Sequence, residues 1–241
     1  MHVEVPELHQ AELAAVYYGV RQGGDLHDFV RVGPNRVVFG LLDMAGRLEE
    51  NRAIVFAAQH TFRTRSQELF SVEDVNEADA MVELGLELNR TIMAAGGIRS
   101  CPVFAGCYNE DLGTVCYFNA GHTAGLLRDR TGIIELGATG LPLGLFSHAT
   151  CDAPLVVVAP GAALLLVSRG VLEGKRKREE FGLERVKSGL QQAASKTANE
   201  ICVAAIKGVQ KFMRKPPAHN DVTALALVRS LNANALVVGQ V

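Results

Sequence analysis

Short apolar segments separated by turn residues occupy the middle of this chain and restrict the folds open to it. After Gly96-Gly97 the segments are separated by NEDLG, RTG and APG. Short runs with Gly, Pro, Asn and Asp between them are typical of antiparallel sheets. We therefore predict strands at residues 101–108, 114–119, 125–128, 133–136, 155–158 and 162–167.

The segments on either side of these strands complete an α+β pattern. Helical periodicity predicts four helices, and Val, Tyr and Phe enrichment predicts an opening β-meander. The predicted meander covers 12–20 and 29–43, the helices 49–70, 73–93, 179–194 and 197–213, and a last strand 222–228. Ser71 is the predicted cap of the second helix. This order indicates an α+β fold in which antiparallel sheets pack together and helices cover the outside, in a single domain over 1–241.

Composition and charge argue against several classes of protein. The chain has 241 residues, 48% of them hydrophobic, and a formal net charge of −2, so we expect neither a nucleic-acid nor a membrane partner. The apolar stretch 155–167 is interrupted by Pro160-Gly161 and predicts two strands around a turn. Five cysteines without a CxxC pair argue against a disulfide framework or structural zinc. With no signal-peptide pattern at the N-terminus, we expect a cytoplasmic location.

Two aspartates stand beside glycines at predicted strand ends. Asp25 follows Gly23-Gly24, and Asp43 lies three residues before Gly46. Carboxylates at the end of a sheet, with glycine allowing close backbone approach, suit a hard divalent cation. An isolated aspartate of this kind more often caps a turn than binds a metal ion.

Several separated motifs together resemble the bacterial type 2C (PPM) metal-dependent serine/threonine phosphatases, in the branch that includes sporulation stage II E. The resemblance covers residues 11–229, and an apolar tail follows at 230–241. The motifs are GGDLHDF at 23–29, LDMAGR at 42–47, NAGH at 119–122, GLPLG at 140–144, LLLVSRGVLE at 164–173 and NDVT at 220–223.

The resemblance implies a β-sandwich of two antiparallel sheets flanked by helix pairs. It also implies hydrolysis of phosphoserine or phosphothreonine on a regulatory protein. In that family two Mn²⁺ or Mg²⁺ ions activate a bound water, and no protein side chain acts as nucleophile. The implied metal ligands here are Asp43, which would bridge both ions, the adjacent backbone carbonyl of Met44, and Asp25 as an outer carboxylate that would hold metal-bound water. Whether this chain forms homo-oligomers is left open.

Two ligand positions of the family carry other residues in this chain. Arg169 stands where the family has the aspartate of TDG, and Asn220 stands where it has the first aspartate of DDxT. A shift of one residue in the second alignment would instead make Asp221 a ligand. A guanidinium about 4 Å from a divalent ion costs on the order of 8 kcal/mol at an effective dielectric of 20. The sequence thus leaves open a phosphatase with reduced activity and an inactive pseudophosphatase that binds proteins in signalling.

Three further features have competing interpretations. Gly-Gly-Asp also begins a diguanylate cyclase signature, but that signature continues with Glu-Phe, whereas Leu26 and His27 follow here. We interpret His122 as a structural hydrogen-bonding residue and Asp28 as a turn cap. The basic run Lys175, Arg176, Lys177 and Arg178 is either a solvated loop or a docking patch for a phosphorylated or acidic partner.

Overall fold

Two five-stranded antiparallel sheets pack face to face between helices. The computed structural model describes residues 4–19, 24–44, 48–72, 74–96, 99–193, 197–213 and 221–233. The strands are β1 (Ala11–Tyr18), β2 (Gly24–Arg31), β3 (Arg36–Met44), β4 (Val103–Asn109), β5 (Thr114–Ala120), β6 (Gly125–Arg128), β7 (Ile133–Leu136), β8 (Leu155–Val157), β9 (Ala163–Val167), β10 (Lys175–Arg176), β11 (Glu179–Glu180) and β12 (Val222–Arg229). The helices are α1 (Leu48–Phe70), α2 (Glu77–Gly96), α3 (Arg169–Leu172), α4 (Gly182–Gln192) and α5 (Ala198–Met213).

Strand order separates the chain into two halves of a sandwich. One sheet has the order β1-β12-β9-β6-β7 and the other β2-β3-β4-β5-β8. Apolar side chains such as Phe39, Phe104 and Leu225 fill the space between the sheets. Helices α1 and α2 cover the outer face of the second sheet, and α4 and α5 cover the first. The predicted α+β sandwich with flanking helix pairs is confirmed.

The second helix begins later than its sequence period predicts. Helix α2 starts at Glu77, and the Oδ1 atom of Asn76 accepts the N–H groups of Ala78 and Asp79 at 3.1 and 3.3 Å. An amide oxygen that accepts first-turn N–H groups is an N-cap. The prediction that Ser71 caps this helix is wrong, because Asn76 occupies that role.

The stretch 155–167 forms two strands around a turn, as predicted, but the strands do not pair with each other. Strand β8 pairs with β5 in one sheet, whereas β9 pairs with β6 and β12 in the other. Gly161 has a φ of 80° at the turn, in the left-handed region that glycine adopts readily. This turn therefore carries the chain from one half of the sandwich to the other.

The basic run lies in a small hairpin that was not predicted. Lys175 and Arg176 form β10, which pairs with β11, and Lys177 lies in the turn with a φ of 59°. All four basic residues are exposed, as a solvated segment requires. Lys175 and Arg176 are within 3.4 and 3.2 Å of Glu180 and Glu179 respectively, so part of the positive charge is balanced locally.

Two further observations concern membrane-spanning helices and the cysteines. Within the described ranges, no helix is both long enough and apolar enough to cross a bilayer. All five cysteines are buried with free thiols, in agreement with the prediction that the chain has no disulfide framework.

Candidate functional site

The two predicted carboxylate ligands face each other across neighbouring strands. Asp25 near the start of β2 is the direct partner of Asp43 near the end of β3. Gly24 pairs with Met44, and a Cβ atom at Gly24 would lie 2.5 Å from the Met44 carbonyl oxygen. Only a residue without a side chain allows this approach, so Gly24 lets the Met44 carbonyl lie next to Asp25 at this end of the sheet.

The other sheet supplies the second wall of the cleft. Asp221 immediately precedes β12, Ser168 immediately follows β9, and both are buried. The Thr223 hydroxyl donates to Oδ2 of Asp25 at 2.6 Å and so joins the two sheets at this end. The Ser168 hydroxyl accepts the Thr223 N–H at 3.0 Å and is 3.5 Å from the Asp221 carbonyl oxygen.

Burial and neighbouring negative charges shift the pKa of Asp25 strongly. The pKa of this carboxyl is raised from 3.8 to about 8, chiefly because burial disfavours the charged form and also because of the negative charge of Asp43. Hydrogen bonds from Thr223 and Ser168 act in the opposite direction, and Asp221 adds a smaller upward contribution. The three aspartates are therefore close enough to repel one another through a poorly solvated space.

Arg169 binds the carboxylate that the resemblance assigns to both metal ions. Its backbone N–H donates to Oδ2 of Asp43 at 2.7 Å, and its guanidinium Nη2 lies 3.6 Å from Oδ1. The Nε of Arg169 is also 3.6 Å from a carboxylate oxygen of Glu173 one helical turn away. The Asp43 side chain is only 8% exposed, against 43% for Arg169, so the guanidinium closes over a buried acid.

His122 lies at the same end of the sandwich. Its backbone N–H donates to Asn119 Oδ1 at 2.8 Å, and its Nδ1 is 3.1 Å from the Thr123 carbonyl oxygen. These contacts fit the structural role predicted for it. Burial lowers the pKa of His122, while the charge of Asp43 opposes that shift. Its buried Nε2 has no hydrogen-bond partner among the described residues.

Asp28, the other acid of GGDLHDF, lies in a separate buried network. Its carboxylate accepts two hydrogen bonds from Arg63, at 2.6 and 2.9 Å, and one from Gln59 at 2.9 Å. Its Oδ1 also accepts the N–H of Phe29 at 2.9 Å. These partners attach β2 to α1. Asp28 is therefore held in an ion pair between a strand and a helix, and its interpretation as a turn cap is wrong.

The residues present do not fit the two-ion centre that the resemblance implies. A bridging carboxylate needs oxygens open to two cations, but both oxygens of Asp43 face Arg169. In the part of the chain that the structure describes, no three His, Cys, Asp or Glu side chains are placed to hold a metal ion. The cleft brings together the predicted ligands Asp25, Asp43, Asp221 and the Met44 carbonyl. It also contains Arg169, at a substituted ligand position. Asn220 lies outside the described residues.

Comparison with solved structures identifies the sandwich with the PP2C phosphatase fold. The RsbU and RsbW domains of Rv1364c from Mycobacterium tuberculosis align with a TM-score of 0.74 and 24% identity, covering 94% of this chain and 62% of that one. The SiaA PP2C domain of Pseudomonas aeruginosa aligns at 0.71 and 17%, covering 89% and 83%. The phosphatase domain of SpoIIE from Bacillus subtilis, with a fragment of its regulatory domain, aligns at 0.69 and 14%, covering 91% and 63%. This chain thus spans less than two thirds of the first of these proteins.

Sequence comparison gives the family directly. A search of curated proteins finds no match to this chain. The family model described as stage II sporulation protein E (SpoIIE) matches residues 33–230, which is most of the chain. The chain therefore belongs to the SpoIIE family of bacterial PPM-type phosphatase domains.

Proposed function

We propose that this domain binds a phosphorylated regulatory protein and does not hydrolyse phosphoesters by the two-metal route of its family. The contact between Arg169 and Asp43 carries this proposal. The N–H of Arg169 donates to one oxygen of Asp43 at 2.7 Å, and its guanidinium is 3.6 Å from the other. A fixed positive charge thus lies against the carboxylate on which both ions would depend.

Charge balance explains how the cleft remains folded without ions. Clustered aspartates repel each other unless a cation lies between them. Arg169 supplies one positive charge beside Asp43, and a proton on Asp25, whose pKa is raised to about 8, removes one negative charge near neutral pH. These two adjustments take the place of metal in stabilising the site.

The hairpin next to the cleft supplies a surface for an acidic partner. Helix α3 begins with Arg169 in the cleft and leads directly to β10 and the turn at Lys177 and Arg178. These two side chains are exposed and make no hydrogen bond or ion pair within the described ranges. Free cations on a surface suit phosphorylated or acidic segments. A similar solved structure, at 15% identity, is described as part of the bacterial stressosome, a modular signalling system. We also propose that this domain and its partner are cytoplasmic. The five free thiols of this chain support that location, because thiols stay reduced in the cytosol.

Residual hydrolysis with Mn²⁺ or Mg²⁺ is the second candidate. The raised pKa of Asp25 favours it, because a cation entering among Asp25, Asp43 and Asp221 would relieve their repulsion. A structural relative, RsbX at 12% identity, is described in complex with magnesium. Metal titration and turnover measured together separate the two candidates.

The test restores the carboxylates of the family with Arg169→Asp and Asn220→Asp. We expect no stoichiometric Mn²⁺ binding by calorimetry for the parent and no hydrolysis of p-nitrophenyl phosphate above background. The double variant removes a cation and adds two oxygen ligands, so its hydrolysis should exceed the parent's by at least about tenfold. Each single variant should gain less, because either one leaves an incomplete ligand set.

The matched control adds Asp43→Asn to the double variant and should abolish the gained binding and turnover. A parent that binds Mn²⁺ tightly and hydrolyses the ester as fast as the double variant would contradict the proposal.

The hairpin variant Lys177→Ser with Arg178→Ser tests the binding surface. Fluorescence anisotropy with a labelled phosphoserine peptide should show that the parent binds the peptide. The variant should bind it about three- to thirtyfold more weakly, because two exposed cations contribute up to about 1 kcal/mol each. Lys211→Ser with Lys207→Ser, on α5, is the matched change of charge and should leave binding unaltered. Equal affinity of parent and hairpin variant would show that the partner binds elsewhere.

A further inference from the structure

A surface cavity of about 360 Å³ lies at the other end of the sandwich from the carboxylate cleft. Arg128 pairs with Ala163 at the first residue of β9, whereas Ser168 in the cleft follows the last. At about 3.4 Å per residue the two ends are roughly 17 Å apart. The cavity is therefore separate from the cleft of the proposed function.

Arg128 is a buried cation without a partner that lines this cavity. It is 6% exposed, and among the described residues it makes no hydrogen bond or ion pair. Its Nε is fully shielded from water without an acceptor. Burial lowers the pKa of its guanidinium, as expected for a charge without compensation. A buried charge of this kind is strongly destabilising unless an anion reaches it.

The other charges around the cavity leave it positive. Arg130 and Arg229 line it with Arg128, against two acids, Glu12 and Asp129. Asp129 is committed to its own turn, where its Oδ1 accepts the N–H groups of Thr131 and Gly132 at 2.7 and 3.1 Å. A carboxylate oxygen of Glu12 accepts the N–H of Ala198 at 3.2 Å. Both acids are thus hydrogen-bonded to backbone groups, and neither forms an ion pair with Arg128.

The first turn of α5 is already capped by two acids, since the N–H of Thr197 donates to Glu200 at 2.9 Å and that of Ala198 to Glu12 at 3.2 Å. Helix α5 is 16 residues long, and Thr197 at its N-terminus lines the cavity. The N-terminus of a helix carries a partial positive charge and favours anions. That Glu12 already approaches Ala198 agrees with this preference. Glu12 and Glu200 therefore satisfy the helix terminus, and the attraction for a further anion comes from Arg128.

We infer that this cavity binds a phosphate group, either inorganic phosphate or the phosphate of a small phosphorylated molecule. Guanidinium groups match phosphate oxygens in charge and in planar hydrogen-bond geometry. The volume exceeds what one phosphate needs and falls within the range of small-molecule sites, about 300 to 1,000 Å³. The opening beyond Arg128 thus has room for an attached organic group.

Calorimetric titration of the whole chain with inorganic phosphate and with AMP tests the inference and separates the two sources. Binding of both, with AMP tighter, indicates a phosphorylated small molecule, and equal or tighter binding of inorganic phosphate indicates the free ion. Arg128→Met keeps the length of the side chain and removes its charge, and should weaken binding by at least about tenfold. Arg90→Met, on the exposed face of α2, is the matched control and should leave the affinity unchanged.

Amide NMR shifts of the unaltered protein keep the test independent of variant folding. Titrated phosphate should move the resonances of Gly161, Thr197 and Ser230, which line the cavity, and leave Arg169 and Val171 in place. The inference is overturned if neither probe binds at millimolar concentration, or if shifts appear only at the cleft. The assignment to phosphate would likewise be overturned if the protein bound citrate but bound neither inorganic phosphate nor AMP.

Discussion

Asp25 is the residue at which the fold opposes ionisation most clearly. It lies beside Asp43 across β2 and β3, and the Thr223 hydroxyl donates to it from the other sheet. Its pKa is raised from 3.8 to about 8, so the folded protein keeps this proton over a range in which the unfolded chain releases it. The carboxyl therefore links the stability of the domain to pH.

Asp25→Asn should weaken the pH dependence of stability between pH 5 and pH 8. Because the folded-state pKa is raised, the stabilisation is complete below about pH 4 and is lost as the pH approaches 8, by at most about 1.4 kcal/mol per pH unit. Urea denaturation in buffer with a chelator should show the parent losing stability over this range and the variant losing less. Asp129→Asn, at an exposed turn, should retain the parent's slope. Identical slopes for the parent and Asp25→Asn would refute the linkage.

The carboxylate pair was accessible from sequence, but the residue that neutralises it was not. Glycines beside Asp25 and Asp43 mark strand ends, and strand ends of one hairpin lie together. The contact between Arg169 and Asp43 joins positions 126 residues apart, one in β3 of the second sheet and the other at the start of α3, which follows β9 of the first sheet. The alignment to the family placed Arg169 near the site, yet only the packed sandwich shows its N–H and guanidinium on the same carboxylate.

At the scale of elements, the start of α2 depends on one side chain. Asn76→Ala removes the oxygen that accepts the N–H groups of Ala78 and Asp79, so it should lower the free energy of unfolding by about 1 kcal/mol. Ser71→Ala changes an exposed residue before the helix and should alter it by less than about 0.5 kcal/mol. Chemical denaturation of both variants compares the two cap assignments. A larger effect at Ser71 would contradict the observed cap.

Short apolar runs and turn residues predicted most of the strands because both are local signals, and the family resemblance predicted that the sheets form a sandwich. Elements without such a signal were missed. Helix α3 has four residues, which is too short to display a helical period, and β10 and β11 have two each. The sheet to which a strand belongs was equally hidden, since β8 and β9 are separated by one turn but lie in opposite sheets.

At the scale of the molecule, the layer between the sheets joins both halves. Phe39 is fully buried there, and a Cβ atom at Gly106 would lie 2.8 Å from its ring. Phe39→Ala should reduce the free energy of unfolding by about 3 to 5 kcal/mol. Phe56→Ala is the matched control on the outer face of α1, where the ring is 49% exposed, and should cost less than about 1 kcal/mol.

The sequence predicts a single domain, and a single domain unfolds in one cooperative transition. Urea unfolding of the parent and of Phe39→Ala should therefore be cooperative. Circular dichroism and tyrosine fluorescence should give the same midpoint. Separate midpoints for the two probes would show that the two sheets unfold independently.

The pairing of β1 with β12 has a consequence for the nascent chain during translation. These strands pair along their whole length, from Ala11 with Arg229 to Tyr18 with Val222, and β12 lies between β1 and β9. A ribosome adds about 5 to 20 residues per second, so β1 waits roughly 10 to 40 seconds for its partner. Until β12 emerges, β1 and β9 present open edges to other nascent chains. Early termination before Val222 would therefore yield polypeptides whose sheet lacks its second strand and which are prone to aggregate.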